Sequence, residues 1–173
     1  MLSASFGKLH VVVSNLDRAR GVHGYSWWFE IREGVVDYKS PVIDCGAEFS
    51  TAGAALKAAL VPLRERLGLP AKEMKPQSKY DHTDRVNIAG TRLGRDLSGS
   101  RREYSWFLKG PKGYYNAEVE KVTQGFSLWN VDIQERRGQD KFIFHGQFSS
   151  KVFAMIALEL QMRERNLVVK EVA

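Results

Sequence analysis

The chain has 173 residues, 43% hydrophobic and 11% aromatic, enough to bury one substantial core or two small ones. Its longest strongly apolar run, Val152 to Leu158, is far short of the roughly 20 residues of a bilayer span, and its first residues, Met1 to Gly7, show no secretory signal pattern, so a cytoplasmic protein that does not enter the membrane is expected. Cys45, the one cysteine, excludes an intrachain disulfide and an all-cysteine metal site, and the net charge of +6 is concentrated centrally: residues 1–68 carry 8 bases and 7 acids, 69–113 carry 10 and 5, and 114–173 carry 8 and 8.

In chain order, Lys8 to Ser14 predicts a strand. A hairpin follows: Trp27, Phe29 and Ile31 alternate with Ser26, Glu30 and Arg32, and Ile43, Cys45 and Phe49 alternate with Asp44 and Glu48. This places Cys45 on the core face as a small apolar residue. A helix comes next, capped by Ser50 or Thr51, with Leu56, Ala59, Leu60 and Leu63 as its apolar stripe and Gly68 and Pro70 as its stop. Residues 69–103 have weak periodicity and a Gly, Ser and Arg-rich composition, which reads as a basic connector. Tyr104 to Lys109 then predicts a strand, Gly110-Pro111-Lys112-Gly113 a turn, and Tyr114 to Val122 the returning strand. Strands at about 126–135 and 141–148, turning near Gly138, precede a helix at about 151–166 that is apolar on more than one side, as a central helix or a subunit contact would be.

The chain repeats itself. Glu48-Phe49-Ser50-Thr51 matches Gln147-Phe148-Ser149-Ser150 at an offset of 99, and Leu63-Arg64-Glu65-Arg66 meets Met162-Arg163-Glu164-Arg165 in the same register. Upstream, the same offset sets Ile43 on Phe142 and Cys45 on Phe144, while Trp27 meets Trp129 and Ile31 meets Ile133 at an offset of 102. The expected fold is α+β: a duplicated antiparallel strand-hairpin-helix unit with pseudo-twofold symmetry, one helix covering the sheet of each copy. The expected division is a β-β-β-α unit at 1–68, the connector at 69–103, and a second β-rich unit ending in a helix at 104–173.

Candidate chemistry is sparse. Asp81-His82-Thr83-Asp84 has metal-ligating and acid-base side chains, but such a run is also ordinary turn chemistry. His145 is placed on a solvent face with Lys141 and Ile143, opposite Phe142 and Phe144. The Gly90 to Arg102 segment has neither a P-loop ending nor dinucleotide-turn spacing. No catalytic residue, metal ligand or cofactor is assigned, and no enzyme activity is expected. The basic segment is the strongest signal. Arg85, Arg92, Arg95, Arg101 and Arg102, with Lys109 and Lys112, can neutralise phosphates, and Trp106 stands among the aromatic residues that interleave with them. Glu30, Asp44, Glu48, Glu118, Glu120 and Asp132 give the solvent face of the strands an acidic character, which directs phosphates to the middle segment.

Several antiparallel strands followed by one helix, given twice, resembles the tandem units of PUR-repeat and Whirly-type single-strand binders in topology, and Trp27 to Leu63 is similar to HicB-like small proteins. No residue motif of these families is present, so the resemblance implies a layout and no site. The leading expectation is a non-enzymatic protein that binds single-stranded nucleic acid, or nucleic acid without sequence preference, through the basic segment. The alternative is an antitoxin-like regulatory module or a homodimer formed by the second helix, with a metal-dependent enzyme third.

Overall fold

The computed structural model describes residues 1–15, 26–34, 39–82, 101–121, 128–136 and 141–170. They form an α+β protein with two antiparallel sheets and two helices, one packed on each sheet. Packing divides the chain into two compact units, Met1–Lys72 and Glu73–Ala173. No helix among the described residues is long and apolar enough to cross a membrane.

The first unit is a four-stranded meander, β1 (Leu2–Phe6), β2 (Leu9–Asn15), β3 (Trp27–Glu33) and β4 (Val42–Phe49), closed by helix α1 (Ala52–Arg66). Alternation drives Val11, Val13, Phe29 and Ile31 onto one face, where they are buried under Ala55, Leu56, Ala59 and Leu63 of α1. The Thr51 side-chain oxygen accepts from the Ala54 amide at 3.1 Å and starts the helix; Gly68, at φ +64°, follows its end. Arg64 is buried as well. Its guanidinium donates to the carbonyls of Pro70 at 2.5 Å and Lys72 at 3.1 Å, fixing the path of the chain as it leaves the helix.

The second unit repeats this plan with β6 (Arg101–Gly110), β7 (Gly113–Lys121), β8 (Trp129–Glu135), β9 (Lys141–Phe148) and helix α2 (Lys151–Glu164), after a preceding strand β5 (Ser78–His82). The Ser150 hydroxyl caps α2 through the Phe153 amide at 3.2 Å, as Thr51 caps α1. The residues from Phe153 to Glu159 are buried without a break, and only Arg163 and Glu164 of this helix are exposed. β5 and the short β10 (Val168–Val169) share one edge of β6, pairing with its beginning and its end. Between them Gln77 spans the gap: its side chain accepts from the Phe107 amide at 2.5 Å and donates to the Lys170 carbonyl.

The pairing corrects the register of the repeat. Trp27 and Trp129 hold equivalent places, opposite Phe49 and Phe148, but Phe29 pairs with Gly46 while Val131 pairs with Gly146. Strand β4 therefore has one extra residue before Phe49, and Glu48 absorbs it at φ +64° as a bulge. Upstream of it the equivalences shift to an offset of 100: Gly46 with Gly146, Ile43 with Ile143, Val42 with Phe142. Ile43 and Ile143 are themselves at register shifts in both copies. With the Glu48 bulge Cys45 is exposed and Asp44 turns to the helix side, 3.8 Å from Arg66, and beyond the shift at Ile143 Phe142 is 54% exposed, contrary to the core-face placement of Cys45 and Phe142. The duplicated Arg-Glu-Arg run gains a reason: Arg66 donates to the Ile43 carbonyl at 2.9 Å and Arg165 to the Ile143 carbonyl at 3.3 Å, so each copy ties its helix end to its bulge.

Gly46 is required by this packing, since a Cβ there would come within 2.5 Å of the Phe29 ring and 3.1 Å of Phe49. Gly46→Ala is expected to destabilise the protein by about 1–3 kcal/mol through overpacking, read from the midpoint of urea denaturation; Gly146→Ala, whose nearest ring atom is at 3.0 Å, should cost less.

Candidate nucleic-acid interface

The site is built at one end of the second sheet by the β6–β7 hairpin. Gly110 and Gly113 pair directly, so Pro111 and Lys112 form a two-residue turn, with Gly113 at φ +144°. Strand alternation then sorts β6 into two faces. Tyr104, Trp106 and Leu108 go into the core, whereas Ser105, Phe107 and Lys109 face outward. Lys109 stands opposite Tyr114 in the register, and the Phe107 and Tyr114 rings stack with centroids 5.3 Å apart and planes 15° from parallel.

Two distant segments bring cations to these rings. Gly110 lacks the Cβ that would collide with Leu167, so the chain after α2 lies across the hairpin end, and the Lys170 amide donates to the Phe107 carbonyl at 2.8 Å. The Lys170 ammonium thereby sits 5.2 Å from the Phe107 centroid and 5.0 Å from that of Tyr114. The Arg136 amide donates to the Tyr114 carbonyl at 3.0 Å, and its guanidinium lies 5.0 Å from the Phe107 ring. With the exposed Lys109 alongside and the exposed Lys112 in the adjoining turn, these form a basic and aromatic end to the hairpin.

The rest of this outer face has the opposite charge. Glu118 lies opposite Asp132, and Glu120 is two residues further along β7. His145, 57% exposed, pairs through Nδ1 with Asp132 at 2.6 Å, and Gln147 donates to Asn130 at 3.0 Å. The sheet surface is thus divided lengthwise between an acidic stretch that repels phosphate and a basic end that attracts it.

Of the sequence-derived interface residues, Lys109 and Lys112 belong to this end of the hairpin. Arg101 and Arg102 begin β6, about 24–27 Å from Lys109 at a strand rise of about 3.4 Å per residue. Arg85, Arg92 and Arg95 lie outside the described residues. Trp106 is corrected: it is 2% exposed and its Nε1 donates to the Lys75 carbonyl at 2.8 Å, which leaves no face for a base. Its neighbour Phe107 takes the outward position, because consecutive strand residues point to opposite faces. Phe107, Tyr114, Arg136 and Lys170 were not legible as a group, being drawn from three separate segments. Of the Asp81 to Asp84 run, Asp81 and His82 lie on β5, and Thr83 and Asp84 fall outside the described residues.

The chain matches no protein-family model, no curated protein and no solved structure. Its function has to be read from the site.

Proposed function

We propose that this chain is a non-enzymatic, cytoplasmic protein that binds single-stranded nucleic acid, using the basic segment between residues 69 and 103 together with the basic and aromatic end of the second sheet. The observation that carries the reading is the stacked Phe107–Tyr114 pair with Arg136 and Lys170 at its rings and Lys109 alongside. Sequence-tolerant strand binders need cations for the phosphates and flat rings for the bases, and both are assembled here from three segments. The acidic stretch around Glu118 and Asp132 restricts a strand on this face of the sheet to the basic end. Dimerisation through α2 is the weaker reading, since its apolar residues from Phe153 to Leu158 are already buried within the chain.

Fluorescence anisotropy of labelled single-stranded DNA and RNA tests the proposal. Binding should weaken steeply as salt is raised. Tyr114→Ala, at a residue 42% exposed, should weaken it by about 1–3 kcal/mol without altering the circular dichroism spectrum. Absence of binding at low salt would remove the proposal.

A further inference from the structure

Around the hairpin end from the aromatic pair lies a cleft of about 410 Å³, within the size range of a small-ligand site. Lys112, Lys141 and Arg165 line it, with Glu135 as its carboxylate and Tyr115 and Ile143 as its less polar wall. Arg165 is held in place: its guanidinium donates to the Ile143 carbonyl at 3.3 Å and to the Gln161 side chain, and it lies 3.5 Å from Glu164. Lys141 stands opposite Glu135 in the β8–β9 register. Among the described residues, three cations line the cleft against the Glu135 carboxylate, with Glu164 beside Arg165 at its border, so the described lining is net positive. Lys112, in the turn that joins the strands of Phe107 and Tyr114, lines this cleft, so a strand stacked on those rings would pass over the turn to end in it.

We infer that the cleft receives the terminal phosphate of the bound strand, an inference that rests on the single-strand reading above. Two features select an end over an interior position. The cleft has the volume of one small-molecule-sized body, and a terminal phosphomonoester carries about −1.5 to −2 at pH 7, whereas an internal phosphodiester carries a single charge. The excess positive charge therefore favours the end.

The test compares short deoxythymidine oligonucleotides ending in a 5′-phosphate, a 3′-phosphate or hydroxyls alone, by anisotropy with the full chain and with Lys141→Ala. The expected result is about tenfold tighter binding of one phosphorylated end, lost in Lys141→Ala while hydroxyl-ended strands bind that variant as they bind the parent. The preference should also fade as pH falls through about 6, where the monoester takes up its second proton. Equal binding of all three strands would overturn the cleft assignment and leave the single-strand reading standing. A preference that persists in Lys141→Ala would place the end elsewhere and overturn it too. If no strand binds, the single-strand reading itself fails and this inference with it.

Discussion

Reversing Arg92, Arg95, Arg101 and Arg102 to Glu is expected to flatten the salt dependence of single-strand binding and to lower affinity most at low salt. Each phosphate contact to a single strand contributes about 0.7 to the slope of log affinity against log salt. Four lost contacts remove about 2.8, so a fourfold rise in salt that costs the parent some 50-fold from these contacts should cost the variant nothing from them. Because Arg101 and Arg102 pair with His82 and Asp81 in the β5–β6 register, the reversal also changes two positions within that pair of strands. A thermal melt alongside the titration separates a loosened sheet edge from a lost phosphate site. Unchanged affinity and slope would show that the basic segment does not contact the strand.

Trp106→Ala is expected to cost about 3–5 kcal/mol of folding stability. The ring is 2% exposed in a core shared with Tyr104, Leu108, Tyr115, Val131 and Leu158, and its Nε1 satisfies the Lys75 carbonyl. That bond, with the Met74 amide donating to Glu159 at 3.1 Å and the Gln77 amide to the Ser105 carbonyl at 3.1 Å, straps residues 74–77 along the second unit. Trp106→Phe keeps most of the apolar contact and loses the hydrogen bond, so it should cost about 1–3 kcal/mol. A loss below about 1 kcal/mol for the alanine variant in urea denaturation would contradict the burial of this ring.

What the sequence made legible follows from short-range rules. Period-two alternation located the hairpins, Thr51 and Ser150 marked the helix starts, Gly110 to Gly113 marked the turn, and the repeated Arg-Glu-Arg run marked equivalent helix ends. β1 has the same alternation, with Leu2, Ala4 and Phe6 on one face and Ser3 and Ser5 on the other, but its serines and alanine give it little of the β-branched and aromatic content that marks a strand. β10, with two residues, is too short to show a period. The faces of Cys45 and Phe142 are not legible in the alternation because irregularities shift parity, at Glu48, which is not the glycine that announces a positive φ, and at Ile143. Tyr25-Ser26-Trp27-Trp28 and Tyr104-Ser105-Trp106-Phe107 look alike, yet β3 corresponds to β8 and β6 to β1, so this echo lies outside the repeat. The patch at Phe107 is not legible for a different reason: Arg136 and Lys170 reach the Phe107–Tyr114 hairpin only through hydrogen bonds between segments.

The most direct test of the central claim is ultraviolet crosslinking of the full chain to single-stranded DNA or RNA, with the adducts located by mass spectrometry. The account predicts adducts on Phe107 or Tyr114 and on peptides from residues 83–102, suppressed by raised salt. Adducts confined to residues 1–72, or none under conditions where control strand binders crosslink, would contradict it.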